Sequence, residues 1–350
     1  TLFGDLPAIA ATLTHDDEIT KIKAAFPGQS LTLPTYPQAT ITNGSLELFL
    51  SSSASNFGGE IIGKLNVNGI SLDIDPKNPL AFEAGTAGLK SFSGGVELKL
   101  DARNTVKLDA KYTAPSDFSI ATTAEITLAS GLKLYPRQAG MPVLALDMSG
   151  QTAKFNVNAK VDIPGQNGLT RIGVTGTLET NADGSLKSLD VKSQAQSSIV
   201  LPGGLRASDV NVRVVYANQS FGLEMSGKLD FGSGGKLDFT GNLQYNTANP
   251  QDIAFNVTLY PEVDIKPFGN EITIKVSEFS MSLDTIPLEG SAHIEGDIYL
   301  TDEDKIAVIG TITENSIFVS LNGDIPPFAF AAGGYSGTLT LSRLEAGYTH

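Results

Sequence analysis

The sequence predicts an all-β protein of extended antiparallel sheets, about twenty strands in an elongated sandwich, groove or open barrel, with one short N-terminal helix near residues 15–25. Three observations predict it. Apolar residues recur at every second position over most of the chain, turn-forming clusters separate these runs, and no strand–helix–strand unit interrupts them. Parallel sheets need crossover helices and read as continuous apolar runs, so strands that keep one polar side argue for antiparallel neighbours.

The helix is expected in THDDEITKIKAAFPG. Thr14 precedes Asp17 at capping-box spacing, Ile19, Ile22 and Phe26 share a helical face, acids lead, lysines follow, and Pro27-Gly28 stops the run. The expected helix runs from His15 to Ala25 and belongs to an N-terminal segment, residues 1–30. From Leu31 onward period two takes over. In KFNVNAKVDI, Phe155, Val157, Ala159, Val161 and Ile163 share one side, and Lys154, Asn156, Asn158, Lys160 and Asp162 share the other.

VELKL and TVKLDAKY read as a hairpin joined around residues 102–104. LEMSGKLDF and KLDFTGNLQY read as another across GSGG, with Leu223, Met225, Leu229, Phe231, Leu237, Phe239, Leu243 and Tyr245 inward. ITIKV from Ile272 and AHIEGDIYL from Ala292 continue the pattern. Ile272, Ile274 and Val276 are even-numbered whereas Phe279, Met281 and Leu283 are odd, so a bulge near Ser277 must restore the face. The paired GKLDF segments at Gly227 and Gly235 are two strands of one hairpin, and no longer period supports a solenoid.

Residues 31–350 read as one elongated β unit, because the Pro-containing loops are too short to be flexible linkers; a two-domain division would fall near residue 140. The 24 basic and 38 acidic residues give a net charge of −14 without a basic cluster, which excludes nucleic acid as a partner. No apolar run approaches the ~20 residues of a spanning helix, so no transmembrane helix is expected. Absence of cysteine removes disulfides, thiolate nucleophiles and thiolate metal sites. A chain opening at Thr1 reads as processed or excised from a longer product.

No nucleophile elbow, phosphate loop, zinc-protease or dinucleotide motif occurs, and no catalytic or cofactor-binding residues are assigned. A glycan-active carboxylate pair needs only two acids across a cleft, but a chain without Trp offers few platforms for sugars. His293, Glu295 and Asp297 alternate on one strand face, in ligand-like spacing that a solvated face explains as well. Asp73, Asp75, Asp302 and Asp304 lie in acidic loop clusters, the oxygen-donor type that calcium prefers; solvated turns explain them equally. No cofactor is expected.

These features fit a non-catalytic structural, assembly or binding module that is extracellular, at the cell surface or periplasmic, and meets other protein chains through sheet edges. The alternative is a carrier of lipid or another hydrophobic ligand in an amphipathic β-groove. In texture, though in no motif, the long alternating strands resemble bacterial bridge-type lipid-transfer proteins of the AsmA and TamB kind, which implies the carrier role. Ser-rich strands such as LFLSSSASN also admit a pore-forming β-toxin.

Overall fold

Period-two patterning becomes strand almost wherever it occurs. The computed structural model describes residues 11–16, 19–33, 36–51, 57–86, 88–100, 104–128, 131–148, 154–194, 198–202, 205–217, 220–230, 236–245, 252–259, 263–265, 274–286, 288–299, 305–312, 316–321, 328–332, 335–339 and 345–349. Within them the protein is all-β and its strands join in one large antiparallel sheet. The hairpin of Phe328–Ala332 and Tyr335–Leu339 stands apart as a two-stranded sheet. Most strands pair with their neighbours in sequence. Ile19–Leu33, for example, pairs with Tyr36–Ser51, which pairs in turn with Phe57–Val67.

The expected helix at residues 15–25 is not formed. Ala11–Asp16 and Ile19–Leu33 are an antiparallel hairpin, with His15 opposite Thr20 and Ala11 opposite Ala24. A spacing of four residues is common to both periods, so Ile22 and Phe26 fit a helix face and a strand face alike. Ala24 lies between them and is buried, whereas Lys21, Lys23 and Ala25 are exposed. Pairing with Tyr36–Ser51 then places Ile22 opposite Leu48, Ala24 opposite Leu46 and Phe26 opposite Gly44. Local helix signals are weak beside a row of cross-strand contacts. Pro27-Gly28, read as a stop, instead makes a bulge where the register shifts between Phe26 and Ser30.

Two expected hairpins and the expected bulge are formed among the described residues. Ser220–Asp230 and Lys236–Tyr245 form the expected hairpin, with Leu229 opposite Leu237 and Gly227 opposite Phe239. Leu223, Met225, Leu229, Leu237, Phe239 and Leu243 are all buried. Phe231 and the side chain of Tyr245 lie outside the described residues. Val96 pairs with Leu108 and Leu98 with Val106, as VELKL and TVKLDAKY require. A register shift between Val276 and Glu278 marks the bulge at Ser277, whose hydroxyl donates to the Glu295 carbonyl at 3.2 Å.

Contacts divide the chain into two compact units. One comprises Thr1–Lys160, Gly173–Val191 and Val215–Phe221, the other Val161–Ile172, Lys192–Val214 and Gly222–His350. The first has a core of Phe26, Leu31, Leu65, Leu72, Val96 and Tyr112, the last stacked on Phe92 at 5.6 Å between ring centroids. In the second, Phe239 and Phe255 meet edge to face at 5.9 Å, and Val210, Met225, Phe279 and Leu283 are buried as well. Burying such a side chain contributes about 1.5–3 kcal/mol, so the aliphatic face is the main source of stability.

Candidate functional site

A line of irregular backbone crosses several strands of the first unit. Ile70–Ile74 and Leu80–Gly85 both lie between Phe57–Val67 and Gly88–Lys99, so they are one strand broken by residues 75–79. In line with that break stand Gly63, with φ +137°, and the register shift between Thr42 and Ser45. The bulge between Phe26 and Ser30 extends the line, and there the Gly28 N–H donates to Asn43 Oδ1 at 2.8 Å. Asn43 itself has φ +52°, a left-handed conformation that Asn tolerates better than most residues.

The inserted loop is pinned to the sheet. Asp75 N–H donates to Gly95 O at 2.9 Å, Gly95 N–H to Asn78 O at 2.8 Å, and Asn78 N–H to Asp75 O at 3.0 Å. The Asp75 carboxylate accepts from the Lys77 N–H at 2.9 Å and from Lys107 Nζ at 2.6 Å. Gly94 makes the seat possible, because a Cβ there would overlap the Pro79 carbonyl oxygen. Beside the loop, on the solvent side of the sheet, lies a depression of about 470 Å³. Its base carries Ala81, Ser93 and Gly94, and Glu60, Asp109 and Lys111 stand around it.

Asp73 is therefore a strand residue and Asp75 a buried anchor of the loop, neither of them a solvated loop carboxylate. Asp73 sits between two ammonium groups, Lys99 Nζ at 2.7 Å and Lys64 Nζ at 3.2 Å. The Lys99 hydrogen bond, with Lys64 adding to it, holds the Asp73 carboxyl below its ordinary range, and the same contact raises Lys99. Lys107 and the Lys77 N–H lower Asp75 in the same way, and Asp75 raises Lys107. Lysine heads thus occupy the carboxylate oxygens that a cation would use. Asp302 and Asp304, the remaining calcium candidates, lie outside the described residues.

A second cluster closes on the same region. The turn at residues 181–185 is tightened by Asp183 Oδ1, which accepts from the Ser185 N–H at 3.0 Å and its hydroxyl at 2.6 Å. These bonds lower the Asp183 carboxyl. Ser185 meets Lys99 in an isolated parallel bridge, and a Cβ on Gly184 would overlap the Ser71 carbonyl. Lys99 feels Asp73 first and Asp183 more weakly. The turn thereby rests on strands more than eighty residues earlier in the chain.

His293, Glu295 and Asp297 alternate on one strand face as expected, half-exposed, with His293 Nε2 3.5 Å from Glu295 Oε1. Ser280 and Thr311 flank His293 on the adjoining strands. Among the described residues no group of three His, Cys, Asp or Glu side chains could hold a metal ion. No family model, curated protein or solved structure matches the chain.

Sequence reasoning missed the pinned loop and the docked turn. Two signals were present: the adjacent glycines in SGGVELKL, and a Pro at each end of the loop, Pro76 and Pro79, breaking an otherwise even-numbered apolar alternation from Ile70 to Ala84.

Proposed function

We propose that the chain is a non-catalytic β-sheet module of the cell exterior or periplasm that joins other protein chains through its sheet edges. The observation that carries this reading is the strand Ala11–Asp16. It pairs on one side only, with Ile19–Leu33, among the described residues. Residues 11–15 are all exposed, Leu13 at 66%. A free edge is a template for another strand, and edges are normally blunted by Lys, Pro or a bulge. ATLTHD has no Lys and no Pro, and its pairing is regular throughout.

Among the described residues, filled interior positions support the same reading. Leu31, Leu65, Leu72, Val161 and Ile163 have no accessible surface, so in these places protein atoms occupy the space an acyl chain would take. Light scattering over a dilution series tests the proposal. The native chain is expected to associate at micromolar concentration, and a double variant, Ala11→Lys with Leu13→Lys, to remain monomeric with an unchanged melting temperature. A native chain that is monomeric throughout refutes edge assembly. Abundant lipid in an organic extract of the purified protein would establish a carrier instead.

A further inference from the structure

The depression beside the pinned loop holds charges of both signs that do not meet. The pairing register places Glu60 opposite Ala81, Ala81 opposite Ser93, and Ser93 opposite Lys111, in one row across four strands. At a spacing of about 4.8 Å per strand, the acid and the base at the ends of the row stand about 14 Å apart at the backbone. The two positions between them carry small side chains. Asp109 lies two residues before Lys111 on the same exposed face, and Lys77 comes in from the loop. Nearby lysines are paired, Lys64 and Lys99 with Asp73 and Lys107 with Asp75. Among the described residues Glu60, Asp109, Lys77 and Lys111 form no ion pair.

Opposite charges kept apart over a small-residue base leave room for a molecule that satisfies both. The wall is already rigid, since the loop is fixed by the buried Asp75 and by two backbone bonds to Gly95, so little ordering accompanies binding. We propose that this depression binds a small zwitterion, its ammonium group against Glu60 and its phosphate or carboxylate against Lys77 and Lys111. A phosphate ester of an amino alcohol fits this chemistry, free or as the headgroup of a lipid. Charge-assisted hydrogen bonds at both ends make the dipolar molecule the preferred ligand over either half.

Calorimetric titration with O-phosphoethanolamine at low salt tests this, with amide chemical shifts reporting the location. Saturable binding is expected, with shifts centred on Ala81, Ser93 and Gly94, and with ethanolamine or phosphate alone at least tenfold weaker. Glu60→Gln and Lys111→Gln should each weaken binding about tenfold. Ala81→Phe, which fills the depression from an exposed position, should abolish binding without lowering the melting temperature. Vesicles of phosphatidylethanolamine separate the two sources. Capture of the native chain but not Ala81→Phe assigns the headgroup, and binding of the free probe alone assigns the soluble ester. No saturation at millimolar probe, equal binding by Ala81→Phe, or equal affinity for phosphate alone overturns the proposal.

Discussion

At the scale of single residues, the two sides of one strand should respond very differently to truncation. Phe239 is buried against Phe255 and over Gly227, whereas the neighbouring Asp238 side chain is 82% exposed and only loosely paired with Lys228. Phe239→Ala should cost about 3–5 kcal/mol in urea unfolding, and Asp238→Ala no more than about 0.5 kcal/mol. Equal losses at the two positions would contradict the register. Asp75 is a different kind of residue, a carboxylate almost closed off from water and joined to Lys107. Asp75→Asn should lower the melting temperature and speed proteolysis within residues 75–79, because it removes the charge that Lys107 and the Lys77 N–H were placed to meet. A chelator, by contrast, should leave the melting temperature unchanged, since lysines already serve Asp73 and Asp75.

At the scale of elements, the inserted loop depends on a glycine in a different strand. Gly94→Ala should destabilise by about 1–3 kcal/mol, as overpacked sites do, because its Cβ would overlap backbone atoms of Pro79 and Leu80. The effect should appear first as faster amide exchange in residues 75–79, and an unaltered exchange pattern would refute the seating described. Hairpins and the Ser277 bulge were legible in the sequence because they need only alternation and the adjoining strand. Residues 15–25 were misread because Ile22 and Phe26 satisfy both periods, and the decision rests with Leu46 and Leu48 in the next strand. The burial of Asp75 was not legible, since Lys107 comes from a strand 32 residues away and alternation does not specify which outward charges meet.

At the scale of the whole molecule, carboxylates couple the first unit to pH. The folded-state values of Asp73, Asp75 and Asp183 are lowered, so their contribution is fully present above the ordinary carboxylate range, near pH 4, and is lost as pH falls through the lowered values. Lys99 and Lys107 are raised, so their share is complete below the ordinary lysine range, near pH 10.4, and is lost as pH rises beyond it. Thermal stability should therefore be flat from about pH 5 to 9 as far as these pairs are concerned, and fall on the acid side. Asp75→Asn should shrink that acid-side fall, and an identical profile in the variant would show that the pair does not govern it. Salt should weaken the exposed partners, Lys64 and Lys99, in the same direction.

Neighbour-to-neighbour pairing also sets the order in which the chain can assemble. Joining two strands through a short turn closes a loop of few residues, and that entropy cost grows only slowly with length. Most pairings here are of this kind, so growth can start at any hairpin and proceed strand by strand, with a speed closer to that of low-contact-order proteins than to that of Greek-key sandwiches. The bridge between Lys99 and Ser185 differs, because it unites residues far apart in sequence and gains nothing until both of its strands are in place. Docking of residues 181–185 should accordingly be among the last events of refolding. A substitution there, such as Asp183→Ala, should accelerate unfolding while leaving the refolding rate almost unchanged.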